Sequence, residues 1–182
     1  MLNTTPAESK GKPFLYRTGA DFVSTRLGIR SKAPVTASEL HLPSPRQTGG
    51  LILAGSYVPK TTAQLKVLTD RRGATGQLAI IEIQVEQLTA SPSTASETVA
   101  RVVQEAESYI QAGKDTLVMT SRKLITGADE LSSLKIGSAV AEALVSVLQR
   151  IEVRPRYIIA KVFLPLSFSL CTAFPGCVEK LV

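Results

Sequence analysis

The sequence predicts an α/β fold: a mostly parallel sheet with helices on both faces, incomplete at its C-terminal end. Two observations carry this. From Leu51 onward short β-rich runs alternate with helical patterns, and successive β-to-α-to-β crossovers require parallel strands covered by helices. The first of these runs is continuously apolar and ends at a glycine, as expected of a strand buried on both faces.

The elements follow in order. A loose polar arm covers residues 1–13, and Phe14, Leu15, Phe22, Val23 and Leu27 line one face of a helix ending at Gly28. Residues 34–47 form a Pro-rich linker with a short helical turn at Ser38-Glu39-Leu40. Leu51-Ile52-Leu53-Ala54-Gly55 is the first strand. Pro59 suits the first turn of the next helix, whose stripe is Leu65, Val67 and Leu68 and which Arg71, Arg72 and Gly73 close. The second strand runs from Leu78 to Val85, with Ile81, Ile83 and Val85 on one face. Val99, Val102, Val103, Ala106, Tyr109 and Ile110 recur at helical spacing before the stop at Gly113. Thr116 to Thr120 is a third strand, followed by a polar connection through Gly127 and Asp129. Leu134, Val140, Leu144, Val147, Leu148 and Ile151 mark the next helix, with Arg150 and Arg154 at its end and Pro155 as its breaker. Tyr157 to Ala160 is the fourth strand. These elements place residues 14–161 in one partial domain, with an atypical apolar tail over 162–182.

Composition narrows the chemistry. The chain has 182 residues, 44% hydrophobic and 20% charged, enough to bury a core in one domain. No apolar run is read as reaching the roughly 18 residues that span a bilayer, so no membrane partner is expected. Cys171 and Cys177 are the only thiols and His41 the only imidazole, so no zinc site closed by Cys and His is expected. His41 lies between prolines and reads as a solvated loop residue. Two late cysteines without a signal peptide point to a reducing, cytoplasmic setting. The net charge of +6 is uneven, because residues 1–72 hold 11 basic and 4 acidic side chains. Without aromatic residues interleaved among the cations, anionic small molecules fit this better than nucleic acid.

Ligands of open parallel sheets bind outside the carboxyl ends of the strands, which singles out Gly55-Ser56, Thr120-Ser121-Arg122 and the residues after Ala160. Ser56, Lys60, Thr61 and Thr62 lie where a buried strand turns into a helix, so hydroxyls, an ammonium and backbone N–H groups can face a phosphate together. The same hydroxyls also suit plain helix capping, and both readings stand. Ser121 and Arg122 end a second strand at the same edge, with solvated charge as the simpler reading. Arg17 and Thr18 suit an anion or an exposed helix face equally. Asp129-Glu130 suits the start of a helix and has no acid or base role. No catalytic residue and no metal ligand is assigned.

Four stretches together resemble a known family. They are Phe14-Leu15-Tyr16-Arg17-Thr18-Gly19-Ala20-Asp21, the run from Gly49 through Gly55-Ser56 and Lys60-Thr61-Thr62 to Leu65, Thr120-Ser121-Arg122, and Arg154-Pro155-Arg156-Tyr157-Ile158-Ile159-Ala160-Lys161. From about Phe14 to Lys161 the chain looks like the C-terminal, nucleotide-binding domain of the four-carbon acid sugar kinases. The resemblance implies ATP with Mg2+ as the bound nucleotide, Ser56 at its site, Lys60, Thr61 and Thr62 lining the turn, and Ser121 and Arg122 nearby. It implies phosphoryl transfer to a hydroxyl of an erythronate- or threonate-like acid, held by a separate N-terminal domain, and relatives that are part of a larger multidomain enzyme.

After Lys161 the family continues with Gly-Gly and a Thr-Ser pair, whereas Val162-Phe163-Leu164-Pro165 stands here. The expectation is a truncated domain, without the acid-binding half, that transfers no phosphoryl group alone, its tail arising from a retained intron, a frameshift or a truncated gene. The alternative is a non-catalytic α/β module that binds a protein partner. Nucleic-acid binding by the basic first 72 residues would show itself as steeply salt-dependent affinity.

Overall fold

The computed structural model describes residues 16–33, 35–36, 38–42, 46–56, 58–123 and 125–161. The arm over 1–13, Phe14, Leu15 and the tail over 162–182 lie outside the described residues. The chain divides into one unit up to Leu40 and another from His41.

The first unit holds α1 (Ala20–Leu27), which ends as expected at Gly28 in the left-handed conformation, its N–H bonded to the carbonyls of Ser24 and Thr25. The expected apolar face is present but open, with Val23 46% and Leu27 62% exposed. Tyr16 packs against Phe22, ring centroids 5.1 Å apart. Arg17 and Thr18 are exposed, and residues 38–41 form the expected turn with His41 exposed.

The second unit is built on β1 (Leu51–Ala54), β2 (Leu78–Ile83), β3 (Asp115–Thr120) and β4 (Ile158–Lys161). Among the described residues they form one four-stranded sheet in the order β2-β3-β1-β4, with every pair parallel. Leu51 pairs with Thr116 on one side and Ile158 on the other. The helices are α2 (Pro59–Arg72), α3 (Val85–Ala90), α4 (Pro92–Gln111) and α5 (Glu130–Arg150).

Alternation along the strands divides the core between two faces. Leu51, Leu53, Ile81, Ile83 and Val118 pack with Leu88 of α3, with Val99, Val102, Ala106 and Ile110 of α4, and with Leu144, Val147 and Leu148 of α5. Ile52, Ala54, Leu78 and Leu117 face the other way, onto Leu65 of α2. Helices therefore cover both faces, three on one and one on the other.

Several expected boundaries move. The second strand stops at Ile83, and Val85 instead opens α3, a helix that period-2 reading misses because Val85 is buried in either geometry. Leu134 and Val67 leave their stripes, being 69% and 49% exposed, because among the described residues the first half of α5 and the outer side of α2 meet no second layer. α5 ends at Arg150, before Pro155, and the Glu107 carboxylate takes over the chain by accepting from the N–H groups of Glu152 and Val153. α5 also corrects the expectation of no apolar run of spanning length. Its mean hydropathy of 1.5 over 18 residues meets that length-and-composition test, its charges being too few to lower the average. In the structure Ala143, Leu144, Val147 and Leu148 pack it onto the sheet.

Parallel strands lack hairpins to set their register, so end contacts must do it. At the amino end of the sheet the Asp115 carboxylate accepts from Gly50 N–H at 2.9 Å and from Arg46 Nη2 at 2.7 Å. Thr116 N–H donates to Gly50 O and Leu51 N–H to Tyr157 O. A Cβ at Gly50 would fall inside the Tyr157 ring, so only glycine lets β1 and the start of β4 approach this closely. Burial, then the negative charge of Asp115, pushes the Tyr157 phenol up to about 12.

Two outcomes are expected. Asp115→Ala leaves the Gly50 N–H and Arg46 unpaired and lowers stability by about 2 to 3 kcal/mol in urea melts, against about 1 kcal/mol for Arg46→Ala, whose side chain is partly solvated. The folded state keeps the Tyr157 proton above the pH near 10 at which an unfolded tyrosine releases it. Its contribution is therefore complete below pH 10 and lost as pH rises toward 12. Urea melts across that window should show a smaller alkaline loss in Tyr157→Phe than in the unmodified chain.

Candidate functional site

The carboxyl ends of β1, β2, β3 and β4 lie along one edge, with Ala54 beside Met119 and Lys161, and Ile83 beside Thr120. β1 and β3 are neighbours whose chains leave to opposite faces, α2 to one and α5 to the other. That divergence opens the crevice in which open parallel sheets bind ligands.

α2 starts at this edge. Its N-cap is Val58 and Pro59 is its first residue, and no side chain caps it. The first bonded amide is Thr62 N–H, to Val58 O at 3.1 Å, so the N–H groups of Lys60 and Thr61 have no acceptor within the helix. The capping reading of the hydroxyls is thus not what the structure has. Instead the turn leaves donors at a helix terminus, with the Lys60 side chain exposed beside them.

The remaining expected residues fall differently. Ser56 and Thr62 are half-buried at the turn. Thr61 is 2% exposed, so what it offers a ligand is its backbone N–H. Ser121 is 6% exposed and works for the sheet, its N–H donating to Ile83 O and its Oγ accepting from Val85 N–H at 3.5 Å. Arg122 reaches across the ends of β3 and β1. Its Nε and Nη2 donate to Thr120 O at 2.9 and 2.8 Å, Nη2 also to Thr120 Oγ1 at 3.0 Å, and Nη1 to Ser56 O at 2.6 Å. Burial lowers the pKa of this guanidinium and the Glu82 carboxylate raises it in part. Asp129, as expected, serves the helix: it caps α5 by accepting from Ser132 N–H at 2.6 Å, and hydrogen bonding from the Ser132 side chain, then from that N–H, holds its carboxyl below the usual range.

Sequence reasoning left two residues of this edge without a role. Glu82 faces α2's side at the end of β2 and accepts from Gln84 Nε2 at 3.0 Å. Lys161 ends β4 beside Ala54 and lines a groove of about 250 Å³ along α2, with Ile52, Leu65, Leu68, Tyr157 and Ile159. Both could have been found from the rule that strand ends carry the site, had the strand boundaries been known. Among the described residues no group of three or more His, Cys, Asp or Glu side chains stands together as a metal site.

A family model described as the nucleotide-binding C-terminal domain matches residues 51–160, from the first residue of β1 to the penultimate residue of β4. No curated protein and no solved structure matches the chain. With the match running from the start of β1 into β4 and taking in the uncapped turn at the carboxyl edge, the chain belongs to the nucleotide-binding C-terminal domain family, the domain of the four-carbon acid sugar kinases.

Proposed function

We propose that this chain binds the phosphates of ATP at the β1–α2 turn and serves as the nucleotide-binding part of a four-carbon acid sugar kinase. The observation that carries the reading is the uncapped N-terminus of α2, at the carboxyl edge of the sheet and inside the family match. The N–H groups of Lys60 and Thr61 and the positive end of the helix dipole suit a phosphate oxygen, and the Lys60 ammonium adds a mobile charge. Ser56 and Thr62 supply hydroxyls at the same turn.

The donor set fits a magnesium nucleotide without a protein cage. Mg2+ usually reaches proteins through phosphate oxygens and water with one or two carboxylates, and Glu82 is a carboxylate at this edge. When bound, the ion supplies neutralisation of charge on the transferring phosphoryl group. The chain's own residues orient the phosphates, since phosphoryl transfer depends on positioning and preorganised charge. The acceptor in this reading is a hydroxyl of an erythronate- or threonate-like acid.

Millimolar Mg-ATP should raise the thermal midpoint of the full chain, because a ligand that binds only the folded state stabilises it. Lys60→Ala should weaken Mg-ATP about tenfold in calorimetric titration while leaving the ligand-free midpoint in place, as Lys60 is exposed. A cooperative melt that Mg-ATP leaves unmoved sinks the nucleotide reading and favours a module that binds a protein partner. Because the acid is held by a separate domain in this reading, ADP release is measured with the acid-binding domain of a four-carbon acid sugar kinase added; nucleotide binding without threonate- or erythronate-dependent turnover in that mixture removes the acceptor assignment.

A further inference from the structure

We propose that Arg122 is a positioning residue of the β1–α2 turn: it holds the main-chain carbonyls at the ends of β1 and β3 and does not itself bind phosphate. This rests on the nucleotide reading for its functional meaning, but its structural content stands apart from it.

The carboxyl edge of a parallel sheet presents carbonyl oxygens, whose partial negative charge repels an anion and which need donors when half-buried. Arginine has five N–H groups in a rigid planar fork and no acceptor, so it can serve several such oxygens at once. Here all three nitrogens are engaged. Nε and Nη2 clamp Thr120 O, Nη2 reaches Ala54 O at 3.5 Å, and Nη1 holds Ser56 O at 2.6 Å. The fork therefore spans β3, the end of β1 and the turn that leads into α2. Glu82, felt by the guanidinium across the edge, offsets part of the charge that a phosphate would otherwise meet.

Among the described residues, besides this clamp, Thr120 Oγ1 donates to Gly55 O at 3.5 Å at the turn before α2. Thr61 and Leu65 are its buried residues, and its cap position is a valine that bonds through its backbone alone. With Ser56 O held by Arg122, the Gly55-Ser56 turn has a fixed exit direction, and the first turn of α2 keeps its free amides at the edge of the sheet. Arg122 thus acts on a ligand through the turn.

Hydrogen exchange on the nucleotide-free full chain, combined with calorimetric titration of Mg-ATP, tests this with Arg122→Lys and Arg122→Met. The expected result is exchange at least about tenfold faster at the Thr62 and Ala63 amides in both variants, with core amides such as Val118 and Leu144 unchanged. That corresponds to the loss of one charge-assisted bond. Lysine should fail to restore Mg-ATP affinity, because it keeps the charge but not the fork. Unchanged exchange at Thr62, or full rescue of affinity by lysine, overturns the proposal in favour of a direct phosphate contact. Acceleration of Val118 and Leu144 equal to that of Thr62 also overturns it, since Arg122 would then hold the whole fold. If the unmodified chain binds no Mg-ATP, the nucleotide reading fails while the exchange data still decide the role of Arg122.

Discussion

The buried carboxylate of Asp115 is the constraint on which the sheet depends. It stands at the first residue of β3 and draws together Gly50, just before β1, and the guanidinium of Arg46, with the Tyr157 phenol beside it, just before β4. Three strands that are far apart in sequence are thereby aligned at one end. A parallel sheet gains no register from tight turns, so a single misplaced residue in any crossover would swap its buried and exposed faces. The close approach of Gly50 to Tyr157 makes the same alignment steric as well as electrostatic.

The two ends of the sheet are closed by opposite charges, each matched to the backbone groups it meets. At the amino end a carboxylate accepts from a backbone N–H; at the carboxyl end a guanidinium donates to backbone carbonyls. The amino end is the more enclosed of the two, since Asp115 is buried and its partners Gly50 and Arg46 lie in the segment that leads into β1. The carboxyl end is held by the half-buried Arg122, with Ser121 bonding across to β2 and α3, and opens onto a turn. The proposed phosphate site would use that asymmetry: strands below, and a short turn above with the N-terminal amides of α2 free of helix acceptors.

The helices divide in the same way. α4 and α5 bury long stripes against one face and supply most of the core, whereas α2 buries Thr61 and Leu65 on the other. Burial of apolar area is the main favourable term in folding, so the side carrying α4 and α5 carries the stability. The helix that carries the proposed site buries fewer residues than α4 or α5. Its placement at the crevice between β1 and β3 follows from topology, not from the strength of its packing.

Much of this was readable from the chain alone. Continuous apolar strands, glycine and proline stops and helical stripes determine the α/β class, the order of elements and the parallel sheet, because hydrophobic periodicity and backbone stereochemistry are local. The same local logic put Ser56, Lys60 and Thr62 at a strand-to-helix turn. What each side chain does there was decided only in three dimensions. Thr61 turns into the core, Ser121 bonds across to β2 and α3, Arg122 reaches the carbonyls of another strand, and Glu82 and Lys161 join the edge through registers set by distant partners. The short α3 escaped for a related reason: Val85 is buried as the strand pattern requires, and burial alone does not tell an eighth strand position from a first helical one. Sequence spacing determines which face of an element a residue occupies; the contact that residue makes depends on what the rest of the chain brings opposite it.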